Sequence, residues 1–256
     1  MSEKTNLYDL AITGGRVIDP ESGLDAVRNV GVRGGTIVAV TEQAIQGNET
    51  IDATGHVVAP GFIDMHHHNT DVPFGQKLAL RDGVTTPMEL EAGVYPVDEW
   101  YAGLEGKSQT NYGASVGSIG AREHVFNPKI KTKYAGDWVY DLIGAPVETG
   151  FTMKWSTQVP TPEEIEQIEG LLEKGLQQGS VGIGHCPGYM VDGCTQAESL
   201  VCQKLAGKYG QAVYLHGRYS SQMPPASGLL GFLEMMAPQE VYGGGLVIQH
   251  MTAQSL

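Results

Sequence analysis

Four histidines stand where apolar segments of the sequence end, and their spacing is typical of metal ligands. His66 and His68 follow the segment PGFIDM, while His216 ends the segment AVYLH and His250 ends LVIQH. Side chains two positions apart on a strand project to the same side, so His66 and His68 can bind one cation together. Neutral imidazole is a common ligand of zinc and other transition metals. The pattern predicts a metal cluster built from these four residues.

A second metal ion would need an anionic ligand between the two ions, and the segment TPMELEAG offers two carboxylates. Glu89 and Glu91 lie two positions apart and would share one face of a strand. Carboxylates in an apolar segment are costly to bury without a cation or another partner. We predict Glu91, nearer the strand end, as the bridging ligand, with Glu89 as the alternative. Lys154 is a rival bridge if its amine is carboxylated. The simpler interpretations are solvated carboxylates and an ordinary salt-bridged or substrate-facing lysine.

The composition excludes several classes of protein. The formal net charge is −13 and no run of basic residues is present, so nucleic acid is not an expected partner. No apolar stretch approaches the ~18 residues of a membrane span, and the N-terminus lacks the basic-then-apolar plan of a signal peptide. Cys186, Cys194 and Cys202 are expected as reduced thiols. These features predict a cytoplasmic protein without a membrane partner.

The N-terminal segment, residues 1–59, is predicted to form a small β-sandwich module. Short β segments alternate there with glycine- and proline-containing turn signals. The predicted strands are Leu7 to Thr13, Arg16 to Asp19, Val30 to Val32, Thr36 to Val40 and Val57 to Ala59.

From residue 60 to residue 256, strand-like and helical segments alternate, which favours parallel strands. The strand-like segments are Phe62 to His66, Thr85 to Glu91, Ser115 to Gly120, Thr149 to Trp155, Ser180 to Gly184, Ala212 to His216 and Leu246 to His250. The helical segments are Val72 to Asp82, Val97 to Gly106, Thr161 to Gln178 and Ala197 to Tyr209. Thr161 begins the best-marked helix, because Pro162 suits the first position and Glu164 completes a capping box. The alternation predicts an α/β fold that is either a barrel or a doubly wound sheet. In barrels, the carboxyl ends of the strands carry the chemistry.

Several of these segments resemble the amidohydrolase superfamily. DLAITGGRVIDP, beginning at Asp9, resembles the usual start of its β-sandwich domain, and VAPGFIDMHHH, ending at His68, resembles its first barrel strand with an HxH metal motif. GVTT, beginning at Gly83, resembles the lead into its second strand. The segment from Leu171 to Tyr189 is most similar to the D-aminoacylase branch, which includes N-acyl-D-amino-acid and N-acyl-D-glutamate deacylases. That branch carries a cysteine ligand near the second strand, where this chain has Glu-Leu-Glu-Ala.

The resemblance implies metal-dependent hydrolysis of a C–N amide bond, most directly deacylation of an N-acyl-(D-)amino acid by metal-activated hydroxide. Zinc is the expected metal, as one or two ions, with other divalent metals left open. Arg218 is predicted to grip a substrate carboxylate in a bidentate manner, and Tyr189 to donate a hydrogen bond to the substrate.

Alternatives within the superfamily are a cyclic amidase similar to dihydroorotase or hydantoinase, an isoaspartyl dipeptidase, and a deaminase. Carboxylation of Lys154 would favour a cyclic amidase or an isoaspartyl dipeptidase.

The resemblance also implies a partial TIM-like (β/α) barrel with about six of its eight strands in this chain. The catalytic Asp at the end of the eighth strand is expected beyond Leu256. The chain is therefore expected to be truncated, or to need a second polypeptide, and to be inactive alone. An inactive metal-binding fragment or subunit is the alternative from a different class. Homo-oligomers of the chain are compatible with the sequence.

Overall fold

The computed structural model describes residues 7–128, 154–219 and 228–254, and the chain divides between Gly61 and Phe62 into two compact units. In the first unit, five strands form one sheet: β1 (Tyr8–Asp19), β2 (Leu24–Arg33), β3 (Thr36–Thr41), β4 (Gly47–Asp52) and β5 (Val57–Val58). The order is β3-β2-β1-β4, and β5 also pairs with β1. Strands β1, β2 and β3 are antiparallel neighbours, whereas β4 and β5 run parallel to β1.

The first unit differs from the sequence prediction in three respects. Gly14 and Gly15 were predicted to form a turn between strands, but β1 runs through them with a shift of register between Ile12 and Gly15. Gly14 has a φ of 71°, which glycine adopts without steric cost, so the pair forms a bulge inside one strand. Strand β4 was not predicted. The described part of this unit contains a single sheet and not the two layers of a sandwich.

In the second unit, six parallel strands form a curled half-barrel sheet in which the spatial order follows the sequence. The strands are β6 (Phe62–Asp64), β7 (Val84–Val94), β8 (Gly113–Gly117), β9 (Ile183–His185), β10 (Ala212–Leu215) and β11 (Gly245–Ile248). The helices are α1 (Pro73–Arg81), α2 (Val97–Leu104), α3 (Ser118–Phe126), α4 (Lys154–Thr157), α5 (Pro162–Gln177), α6 (Gln196–Tyr209), α7 (Gly228–Tyr242) and α8 (Met251–Gln254). A short 3-10 helix, Pro187–Tyr189, follows β9.

Helix α5 confirms the local prediction in detail. The Thr161 side chain accepts a hydrogen bond from the Glu164 backbone, and the Glu164 side chain accepts one from the Thr161 backbone. The resulting capping box satisfies two N–H groups that have no partner within the helix. Ile168 and Leu172 of this helix then pack in the main core with Val213 of β10.

Three predicted or missed elements need correction. Residues 149–153 of the strand predicted at Thr149 to Trp155 lie outside the described residues, and its last two residues belong to helix α4. Ser118 to Gly120 were assigned to a strand but begin helix α3. Helix α7 was not predicted, because it is apolar on most sides and shows little amphipathic periodicity. None of the helices in the described segments is long and apolar enough to cross a membrane.

Candidate metal centre

The HxH segment begins two residues after the end of β6 and is held in place by Asp64, the last residue of that strand. One carboxylate oxygen of Asp64 accepts a hydrogen bond from the His66 backbone at 3.0 Å, and the other lies 3.3 Å from Nδ1 of His67. The His67 backbone donates to the Met88 carbonyl of β7 at 3.2 Å. These contacts fix the turn from which His66 and His68 project. Asp64 was not predicted as a site residue, although its position two residues before His66 was a usable signal.

All four predicted histidines converge on one carboxylate, that of Glu91. Glu91 Oε2 lies 3.2 Å from Nε2 of His66 and 3.3 Å from Nε2 of His68. Glu91 Oε1 lies 2.8 Å from Nδ1 of His216 and 2.5 Å from Nε2 of His250. Each carboxylate oxygen therefore faces one pair of imidazoles, which is the arrangement expected of a ligand shared by two ions.

The donor set fits a cation on geometric grounds. Nδ1 of His216 and Nε2 of His250 lie 2.9 Å apart while both face Glu91 Oε1. One ligand atom from each of His66, Glu91 and His250 lies within 4.8 Å of the others. A neutral imidazole has one N–H and one lone pair, so each of these rings can offer a lone pair to a cation. Histidine with carboxylate is a ligand combination that zinc accepts.

The electrostatics of Glu91 reflect its buried position among the rings. Its side chain is 3% exposed, whereas those of His66, His68 and His250 are 25–30% exposed. Burial acts to raise the pKa of the Glu91 carboxyl, but hydrogen bonds from His216, His66 and His68 outweigh it and hold the pKa well below its usual value. The carboxylate is therefore ionised and lies beneath rings that solvent can reach.

Most of these ligand positions lie beyond the hydrogen-bonded ends of their strands. His216 follows the last residue of β10, and His250 lies two residues after β11. His250 has a φ of 35°, a backbone conformation that residues other than glycine seldom adopt. Such strained positions are concentrated at functional sites. Glu91, by contrast, lies inside β7.

Glu89 lies on the same face of β7 as Glu91 but meets a different atom. Its Oε1 lies 3.0 Å from Nδ1 of His68, and its side chain is 1% exposed. Hydrogen bonds to Glu89 and then to Glu91 raise the pKa of the His68 ring to about 10. The structure thus places Glu89 behind His68, on the side away from Glu91.

Arg218 does not face the centre, and its predicted role as a carboxylate clamp needs correction. Its guanidinium is bound to the Glu234 carboxylate at 2.8 and 2.9 Å and also donates to the Val191 and Cys194 carbonyls. The residue is only 6% exposed. Since these partners engage every nitrogen of the guanidinium, the residue fastens α7 to the segment after β9. Sequence alone could not show this, because helix α7, which carries Glu234, was not recognised.

Lys154 is exposed at the start of α4. Among the described residues it makes no contact with the four histidines or with Glu91. The geometry thus gives no support to a carboxylated-lysine bridge at this position.

Tyr189, the second predicted substrate contact, does lie beside the centre. Its ring stacks on the His216 ring with centroids 4.2 Å apart and an interplanar angle of 29°. Gly188 makes this approach possible, because a Cβ there would lie 2.5 Å from Cδ2 of His216. The Tyr189 side chain is 39% exposed, so it forms part of an accessible wall.

His185, the last residue of β9, and Cys186, which follows it, make hydrogen bonds to residues that form the centre. The His185 ring lies between Ser118 Oγ at 3.1 Å and Ser199 Oγ at 3.0 Å, and burial lowers its pKa to about 3. Its carbonyl accepts from the His216 backbone at 3.0 Å. Cys186 donates its thiol hydrogen to the Glu91 carbonyl at 3.2 Å. All three cysteines are free and buried, as expected for reduced thiols.

Comparisons with known proteins agree with the fold and the motifs. The model of the Amidohydro_3 amidohydrolase family matches residues 49–114, which include His66, His68, Glu89 and Glu91. The N-acyl-D-glutamate deacylase of Bordetella bronchiseptica, solved with zinc and a phosphonate inhibitor, is 23% identical with a TM-score of 0.71, and covers 94% of this chain. A crystal structure of D-aminoacylase is also similar to this chain, with 21% identity, 94% coverage and a TM-score of 0.69. At these identities the likeness to the solved structures shows the fold.

Two kinds of curated enzyme match parts of this chain. A dihydroorotase of Streptococcus pneumoniae is 44% identical over 86 residues, which are 30% of this chain and 20% of the relative. An N-acyl-D-glutamate deacylase of Alcaligenes xylosoxydans is 28% identical over 210 residues, or 78% of this chain and 41% of the relative. The chain spans about half the length of the solved structures, 51% of each, and less than half of these two curated relatives.

Proposed function

We propose that the protein that carries this sequence is a metal-dependent hydrolase of C–N amide bonds other than peptide bonds. The observation that carries the proposal is the meeting of four imidazoles on the two oxygens of buried Glu91. In this proposal His66 and His68 would hold one divalent ion, His216 and His250 would hold a second, and Glu91 would be a ligand shared by the two. Zinc is the proposed metal.

The protein's own groups set the conditions for the reaction. A bound divalent ion would supply a nucleophile at neutral pH, because it lowers the pKa of its bound water to about 7. Glu91 stays ionised and keeps the negative charge needed to hold cations close together. The partly exposed rings of His66, His68 and His250 leave the centre open to a small substrate. Tyr189, stacked on His216, is proposed to donate its phenol hydrogen to the substrate.

Deacylation of an N-acyl-(D-)amino acid is the favoured reaction. It is supported by the likeness to the Alcaligenes deacylase, which extends over 78% of this chain. A carboxylate from the second barrel strand in the bridging position also argues against the carboxylated lysine that would favour cyclic amidases. Because Arg218 is bound to Glu234, a substrate carboxylate needs another cationic partner.

Hydrolysis of a cyclic amide is the second candidate. Its support is the 44% identity with the Streptococcus dihydroorotase over 86 residues, a higher identity than that with the deacylase. The two candidates differ in the product: a deacylase releases a free amino acid and a carboxylic acid, whereas a cyclic amidase opens a ring and releases nothing.

The test uses the natural polypeptide that carries this sequence, purified without metal and titrated with zinc. We expect zinc uptake, with hydrolysis of N-acetyl-D-amino acids measured as free amine and abolished by a chelator. Dihydroorotate and hydantoins in the same panel test the second candidate, and ammonia release tests a deaminase.

Glu91→Gln removes the shared charge and should weaken zinc binding. The loss of affinity should exceed the about 10–100-fold loss that is typical when a carboxylate that only orients a ligand is removed. Glu123→Gln is the matched control, because Glu123 is equally buried but lies on α3. Absence of zinc uptake, or hydrolysis that resists chelation, would contradict the proposal.

A further inference from the structure

Two glutamates of β7 lie on opposite sides of one histidine ring. Glu91 Oε2 is 3.3 Å from Nε2 of His68, and Glu89 Oε1 is 3.0 Å from Nδ1 of the same ring. The two nitrogens of an imidazole point in divergent directions. An atom bonded at Nδ1 therefore lies outside the space that Nε2 faces, and Glu89 does not share the position of Glu91.

We infer that Glu89 is a positioning residue that orients His68 and fixes its tautomer for metal binding, and is not itself a bridging ligand. The inference rests on the metal centre proposed above. It differs from the sequence prediction, which kept Glu89 as an alternative bridge.

The chemistry of the pair supports this role. An N–H at Nδ1 of His68 can donate to Glu89 Oε1, which lies 3.0 Å away. With that hydrogen on Nδ1, the lone pair of Nε2 in a neutral ring would be available to a metal ion. Carboxylates that accept from the outer nitrogen of a ligating histidine fix the ring and make its other nitrogen a stronger donor.

The surroundings make the contact rigid. Glu89 is 1% exposed and comes from the middle of β7, where its backbone pairs with Ala114 of β8. His68 comes from the turn that Asp64 anchors, and its ring also meets the His66 ring edge to face at 5.3 Å. The ring is thus held on two sides by groups that have little freedom to move.

The experiment is a double-mutant cycle on zinc affinity, measured by competition with a chromophoric chelator. Glu89→Gln keeps the shape of the side chain and removes its charge. We expect it to lower zinc affinity about 10–100-fold without changing the number of zinc ions per chain. In a His68→Ala background the same substitution should have almost no further effect, because its action passes through the missing ring.

A matched control separates this effect from the general cost of altering a buried carboxylate. Glu123→Gln changes a glutamate that is equally buried but lies on α3, and it should leave zinc affinity unchanged. Loss of one zinc equivalent in Glu89→Gln would make Glu89 a ligand and overturn the inference. An unchanged zinc affinity of Glu89→Gln would also overturn the inference. An equal loss of zinc affinity when Glu89→Gln is made in the His68→Ala background would do the same. Failure of the wild-type protein to bind zinc would instead reject the metal centre itself, and the inference with it.

Discussion

His216 meets the centre through Nδ1, whereas His66, His68 and His250 meet it through Nε2. The two nitrogens stand at different distances from the backbone. The polar atoms of asparagine reach about as far as Nδ1, and those of glutamine about as far as Nε2. A substitution that matches the reach of the native nitrogen should therefore preserve more of the site.

This difference predicts opposite preferences at two positions. His216→Asn should retain more zinc affinity than His216→Gln, while His250→Gln should retain more than His250→Asn. The measurement is chelator competition on all four variants, with circular dichroism to confirm folding. The same ranking at both positions would show that reach does not govern the contacts.

At the scale of single residues, the sequence predicted the members of the centre better than their partners. Five residues were recognised because each ends or closes an apolar segment, and the structure brings them together: His66, His68, Glu91, His216 and His250. The partner of Arg218 could not be predicted, because Glu234 lies in a distant helix. The role of Glu89 depends on which side of the His68 ring it approaches, and spacing along a strand does not contain that information.

At the scale of elements, helix α5 offers a test of local sequence logic. Thr161→Ala removes the acceptor for the Glu164 N–H and should lower the free energy of unfolding by about 1 kcal/mol. Thr161→Ser keeps a hydroxyl at the same place and should lose much less. Urea unfolding followed by circular dichroism gives both values, and equal losses would mean that the cap contributes nothing.

Elements with strong end signals were predicted well, and those without them were not. Helices α1, α2, α5 and α6 lie within a few residues of their predicted bounds. The bulge in β1 was mistaken for a turn, because two glycines serve both structures and only strand pairing distinguishes them. Helix α7 was missed because nearly all of its residues are apolar, so no face stood out.

At the scale of the whole molecule, buried Glu123 should make stability depend on pH. Burial raises the pKa of its carboxyl to about 7, from an ordinary value of 4.5, although Asn127 and Lys154 act to lower it. Between these two pH values the folded chain keeps a proton that the unfolded chain has lost. The contribution of Glu123 to stability therefore falls as pH rises through this window, and the full cost is reached above about pH 7.

Glu123→Gln removes this titration. The free energy of unfolding of the variant minus that of wild type should increase by about 3 kcal/mol as the pH rises from about 4 to about 8. This value follows from the shift in the Glu123 pKa at 1.36 kcal/mol per pKa unit. Parallel urea titrations at several pH values provide the measurement. A difference between the two proteins that does not vary with pH would show that Glu123 is already ionised in the folded chain below neutrality.

The overall architecture was largely predictable from alternation of segments. The switch from short β segments to repeated β–α units predicted two different parts and, in the second, a parallel sheet of six strands. The structure confirms that sheet. The sequence could not tell that the described part of the first unit has one layer, because the layers of a sandwich are set by contacts between distant strands.

The five proposed ligands differ in where the backbone holds them. Glu91 lies inside a strand, and the four histidines lie on segments that follow strands. Glu91 is fixed by the ladder of β7, while the imidazoles are attached to backbone that has already left the sheet. His250, two residues past the end of β11, can therefore shift relative to Glu91 without disturbing the pairing of strands, whereas Asp64 and Glu89 hold His66 and His68 in place. A centre built in this way should tolerate ions of different radius, from small magnesium-sized ions to larger ones such as cadmium, by adjusting its width and not its location.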